Sequence, residues 1–219
     1  SLAWSLLSRK IGSGLIGINK EASLQLQFAY LLQQLLPLII FHHEEKLEVE
    51  LETGARVGES TREVDVIFTG RWGGGQHKIA IEMKCYRRLA SSGKPRGAID
   101  IFMKDVHDDL AILERYIEHK HAEEGVCLVM TDHKQLVAPD IVRVNAKCRN
   151  YEISDGVEVG PITLDIPIGG KDVFIVLKRR YQFNWTAFGN FYFLETEGVV
   201  VAEDQPASAG AETCEASAG

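Results

Sequence analysis

The stretch KIAIEMKCYR, residues 78–87, decides how the chain folds. Its apolar density reads as a buried strand. Strand side chains alternate faces, so Ile79, Ile81 and Met83 point one way and Ala80, Glu82 and Lys84 the other. Cys85 falls on the side of Met83. A carboxylate and an ammonium therefore stand side by side on one face of an apolar strand. One reading is a solvated salt-bridge face, worth about 0–1 kcal/mol. The other is a catalytic site. An exposed face would not call for so apolar a frame.

Upstream, RWGGGQH reads as a hairpin turn, because consecutive glycines permit a tight reversal. STREVDVIFTG is then the strand before it, with Val64, Val66 and Phe68 inward and Asp65 on the opposite side. KLEVELET (46–53) alternates apolar and acidic residues, as a strand with one wet face does. A helix begins at Lys20, with Leu24, Phe28, Leu31 and Leu35 at helical spacing and Pro37 at or just past its end. Downstream, the loop RRLASSGKPRG leads to an amphipathic helix from about Ala98 to Lys120. Its inner face carries Ile99, Phe102, Val106, Leu110, Leu113 and Ile117. GVCLVMTD (125–132) is continuously apolar and suits the middle of a sheet covered on both faces. VFIVLK (173–178) reads as a strand and YQFNWTAFGNFYFLETEG as a hairpin.

The expected fold is therefore α/β, a mixed central β-sheet flanked by helices. A single domain is expected over residues 1–200, with its core at about 20–132 and C-terminal strands and a hairpin at 170–200. Residues 201–219, small and acidic, read as a mobile tail. The 219 residues are 45% hydrophobic and 25% charged, an ordinary globular balance. The four cysteines form no C-x-x-C pair, so neither a zinc ribbon nor a thioredoxin site is expected, and a reducing cytoplasm is. SLAWSLLSRK lacks the pattern of a signal peptide, and LLPLIIF is far too short to span a membrane.

If the two strands pair across the glycine turn, Asp65 and Glu82 come onto one face of the hairpin with Lys84 beside them. Two close carboxylates repel unless a cation lies between them. A hard divalent cation suits them, since Mg²⁺ takes oxygen ligands and is commonly held by one or two carboxylates plus substrate phosphate. Such a metal can bind a phosphodiester oxygen and lower the pKa of an attacking water. Lys84 can then orient that water or stabilise charge at phosphorus.

This arrangement resembles the PD-(D/E)XK nuclease superfamily, whose members share a restriction-endonuclease-like core. The likeness rests on the Asp65 strand, the hairpin, Glu82-Met83-Lys84 and the helix that follows, with Val64 standing where the motif name has proline. The resemblance implies a Mg²⁺-dependent deoxyribonuclease, with Mn²⁺ able to substitute. Asp65 and Glu82 would be metal ligands with the Met83 backbone carbonyl, Lys84 the catalytic lysine, and Glu21 an added acidic residue from the first helix, with Gln25 one turn on as fallback. A homodimer would fit double-strand cutting. The alternative is a catalytically silent nucleic-acid-binding or partner-binding domain of the same fold.

A net charge of −7 argues against coating nucleic acid through bulk positive charge. Residues 71–104 nevertheless hold eight basic residues against two acidic. Arg87, Arg88, Lys94 and Arg96 are the expected contacts to a DNA backbone. KRRYQFNW mixes cations with aromatics that either stack on bases or fill a core. GSGLIG (12–17) matches a dinucleotide fingerprint by letters but follows no strand. His42-His43-Glu44-Glu45 lacks metal-ligating spacing and reads as a polar turn.

Overall fold

The computed structural model describes residues 1–90, 92–138 and 146–201. It opens with a helix that the sequence reading did not anticipate. α1 (Leu2–Gly12) buries Ala3, Trp4, Leu7 and Ile11, at the spacing of one helical face. GSGLIG begins in its last turn, so these glycines follow a helix and lead to another, not from a strand into a helix as a dinucleotide fingerprint does. Gly12 is packed against Phe188: a Cβ on it would lie 2.5 Å from the Phe188 Cβ and 2.6 Å from its carbonyl oxygen.

α2 (Glu21–Ile39) starts where Ser23 Oγ accepts the Lys20 N–H at 3.2 Å. Leu24 and Phe28 are buried, while Leu31 and Leu35 are partly so. Pro37 lies inside this helix and does not end it. Proline removes one hydrogen bond, which a final turn tolerates, and the helix stops two residues on.

β1 (Lys46–Val57), β2 (Ser60–Trp72) and β3 (Gly75–Tyr86) form an antiparallel meander. Gly73 and Gly74, at φ 56° and 80°, make the two-residue turn into β3. α3 (Ile99–Glu118) then carries the chain to β4 (Glu124–Thr131), which lies parallel to β3 with Glu82 opposite Cys127. After a short helix, α4 (Lys134–Val137), come a 3₁₀ turn (Ala146–Tyr151) and β5 (Glu158–Val159), β6 (Ile162–Leu164), β7 (Ile175–Leu177) and β8 (Tyr181–Gln182). The strand expected at 173–178 is thus only three residues long, and it pairs with β6 outside the main sheet. β9 (Trp185–Phe188) and β10 (Phe191–Glu197) form the expected hairpin and extend the sheet beyond β4. The result is a mixed α/β fold with a six-stranded sheet in the order β1-β2-β3-β4-β10-β9.

Two apolar layers cover this sheet. α1 and α2 pack on one face with Ile81, Met83, Cys85, Val126 and Leu128. α3 covers the other through Phe102, Val106, Leu110 and Leu113. β4 is buried on both sides, which explains its unbroken apolar run. α3 is itself overlaid by the chain from 151 to 183: the His107 ring meets Tyr151 and Phe183 edge-on at 5.7 and 6.0 Å. Tyr181 and Phe183 of KRRYQFNW are core residues.

One expectation about facing is overturned. Val64 joins the α3-side core and Val66 the opposite one. Residues two apart on an unbroken strand share a face, so the alternation breaks between them, at Asp65. Among the described residues no helix is long and apolar enough to cross a membrane. The acidic tail, apart from Val201, lies outside the described residues.

Candidate active site

The β2–β3 ladder ends at Val66 opposite Ile81. Just beyond, the Met83 N–H donates to Asp65 Oδ2 at 2.7 Å, so a side chain replaces a strand partner. Asp65 is wedged where the two strands part. On β3, Glu82 and Lys84 face α3, while Met83 and Cys85 pack on the α1–α2 side, as alternation predicts. Glu21, the first residue of α2, reaches both the backbone and a side chain of β3. Its Oε2 accepts the Cys85 N–H at 3.3 Å, and its Oε1 stands 3.4 Å from Lys84 Nζ. The N-terminal turn of a helix also favours a carboxylate.

Lys84 has a second acidic neighbour, Asp109 of α3, whose Oδ2 is 3.0 Å from Nζ. Sequence reasoning missed this residue. Its signal was present: Asp109 follows Phe102 by seven positions and Val106 by three, so an acid occupies an apolar-face position. The result is a mostly buried group of carboxylates around a single ammonium. Burial, with Asp109 and Asp65 nearby, pushes the Glu82 carboxyl up to about 10. Burial also raises Asp109, to about 7, despite Lys84. For Lys84 burial acts downward, but Asp109, Glu21 and Asp65 outweigh it, and the ammonium is held more firmly protonated than usual. Glu82 is only 5% exposed, and among the described residues its Oε1 has no hydrogen-bond partner. Leaving such a group unpaired costs free energy.

Two adjoining cavities of about 640 and 600 Å³ open onto this group and share Arg62, Asp108 and Asp109. Glu82 lines the first, and Glu21, Lys84 and Arg96 line the second. Arg62 was not anticipated either. Strict alternation places it off the Asp65 side; the break at Asp65 sends it, with Val64, to the α3 side and the cleft.

The basic stretch divides in two. Arg87 donates from Nε to Asp132 at 2.9 Å and from Nη1 to the Ile18 carbonyl, and it lies 5.0 Å from the Phe191 ring. It fastens the fold instead of facing solvent. Lys104 is paired with Asp105 and Asp108, and Arg71 with Glu48. Arg88, Lys94 and Arg96 are exposed on a loop that bonds to itself, Arg96 N to Arg88 O at 2.8 Å and Ala90 N to Lys94 O at 2.9 Å. The Tyr86 hydroxyl anchors this loop by donating to the Arg96 carbonyl at 2.9 Å.

The acidic side chains at the cleft offer carboxylate oxygens, the type a hard cation takes, and among the described residues Glu82 Oε1 is an unpartnered one. Among the described residues, no group of three or more His, Cys, Asp or Glu side chains is arranged to hold a metal ion. Asp65 is engaged with the Met83 amide, and Glu82 is turned toward Asp109 and Tyr116 of α3. Comparisons with protein-family models, curated proteins and solved structures found no match.

Proposed function

We propose that the chain is a metal-dependent endonuclease hydrolysing DNA phosphodiester bonds. The observation that carries this reading is Asp65 at the parting of β2 and β3, bonded to the Met83 amide between Glu82 and Lys84, which with Glu21 line the two adjoining cavities. The order α2-β1-β2-β3-α3-β4 agrees with the resemblance to PD-(D/E)XK nucleases. Asp65, Glu82 and the Met83 carbonyl would hold Mg²⁺, or Mn²⁺ in its place, and the ion would supply Lewis acidity and a water of lowered pKa. Lys84 offers a fixed ammonium to charge developing on the phosphoryl oxygens. Glu21 holds that ammonium from the α2 side. Arg62 and Arg96 line the second cavity, and with the exposed Arg88 and Lys94 they would meet backbone phosphates. A bound divalent cation would add the positive charge that a polyanion needs beside these acidic side chains.

The rival is a silent DNA- or partner-binding domain. It draws on the carboxylates being occupied already, Glu21 and Asp109 by Lys84 and Asp65 by an amide. The test is cleavage of plasmid, phage genomic DNA, single strands, branched junctions and RNA with Mg²⁺ or Mn²⁺, comparing wild type with Lys84→Ala. Metal-dependent cutting of DNA that disappears in the variant supports the endonuclease. Cutting of RNA alone would change the substrate. Equal activity in both proteins, or none in wild type, rejects this site as a nuclease centre.

A further inference from the structure

We infer that Asp109 of α3 is the positioning residue for Lys84, making the helix behind the sheet a working part of the site. The inference rests on the endonuclease reading for its catalytic consequence, though not for the contact itself. Asp109 is 8% exposed and sits among the apolar positions of α3. A leucine there would be buried at no electrostatic cost, whereas a buried carboxylate is costly unless paired. Its neighbour Asp108 is half exposed and occupied by Lys104 at 2.6 Å. Asp109 has a different partner, Lys84 Nζ at 3.0 Å, and among the described residues its Oδ2 makes no aligned hydrogen bond. Among the described residues it caps no helix and ties down no loop. What remains for it is the ammonium.

The geometry explains why one carboxylate is not enough. A lysine side chain has four rotatable carbons and an undirected head. Glu21 restrains it from the α2 side at 3.4 Å, but that carboxylate is 37% exposed. Asp109 restrains it from the α3 side, with a side chain 12% exposed. Lys84 is clasped between two helices on opposite faces of the sheet. Without the α3 half of the clasp, the ammonium can swing with Glu21 into the cleft. A displacement of about 1 Å at a reacting group can cost about 100-fold in rate.

The test pairs two readouts on the full chain. The first is the Lys84 side-chain ammonium signal in ¹H–¹⁵N NMR, visible only when the group is held and exchanges slowly. It should be present in wild type and lost in Asp109→Asn, whose fold is checked by circular dichroism. The second is steady-state cleavage, where Asp109→Asn should lower kcat by about 100-fold with KM nearly unchanged. Asp109→Glu, which restores the charge, should recover part of kcat. Adding Asp109→Asn to Lys84→Ala should cause no further loss. An unchanged ammonium signal, or a kcat equal to wild type, overturns the inference. An inert wild type overturns the endonuclease reading instead, and the ammonium signal then decides the clasp alone.

Discussion

Glu82 shows how much of the site can be read from single residues. Strand alternation placed it with Lys84, and Asp65 followed from the glycine turn. Alternation could not reveal Asp109, because a carboxylate on the apolar side of a helix looks like an irregularity until the strand it faces is known. Arg62 escaped for a related reason, since its facing depends on the break at Asp65. Glu82 also carries a pH dependence. Its carboxyl is raised by burial from 4.5 to about 10. The stability that its neutral form contributes is complete below the unfolded value and is lost as pH climbs toward the folded one. Asp109, raised from 3.8 to about 7, acts in the same direction. Without divalent cations, the urea midpoint of the wild type should fall between about pH 5 and about pH 9. Glu82→Gln should flatten that fall. A variant with the wild-type slope would show that Glu82 is not the buried neutral acid described.

Elements are set by what they dock against. α2 was legible from its apolar spacing, α3 likewise. α1 was not, although Ala3, Trp4, Leu7 and Ile11 recur at helical spacing, because so short a helix is fixed by what it docks on. Its position depends on the glycine pair Gly12 and Gly189, since any Cβ on Gly12 would strike the backbone of Phe188. Gly12→Ala should cost about 1–3 kcal/mol, as forced shifts in packed contacts do, measured by denaturant unfolding. No loss would mean that α1 docks elsewhere. Arg87 joins three elements: the Asp132 end of β4, the Ile18 carbonyl just ahead of α2, and Phe191 of β10. Composition counted it as a free cation because sequence does not show which charges are already paired. Arg87→Ala should lower stability by about 1–3 kcal/mol, and DNA affinity of the folded variant should change less than in Arg96→Ala. The reverse order would return Arg87 to the phosphate contacts.

At the scale of the whole molecule, the sheet from β1 to β4 was readable because each strand is adjacent in sequence to the turn or helix that orders it. The region between β4 and β9 was not. Its strands are two or three residues long, too short for a period to declare itself. They are ordered by docking onto α3 instead. Glu114, buried in α3, accepts the Lys178 and Arg179 N–H groups at 2.8 and 2.9 Å and the Tyr181 hydroxyl at 3.0 Å. One carboxylate thus fastens the outer layer to the helix that carries Asp109. Glu114→Ala should leave three donors unmatched, cost about 2–4 kcal/mol and speed amide exchange at Lys178 and Arg179 before the rest of the molecule. Uniform exchange across the chain would show that this layer is held by apolar packing alone.

We propose that the carboxylates at the parting of β2 and β3 hold a divalent cation. Electron paramagnetic resonance of Mn²⁺ titrated with the protein decides whether they do. The wild type is predicted to remove the free-ion signal at a stoichiometric ratio, and Asp65→Asn and Glu82→Gln to leave it standing. Free Mn²⁺ at every wild-type concentration, or binding undiminished in both variants, would contradict the claim.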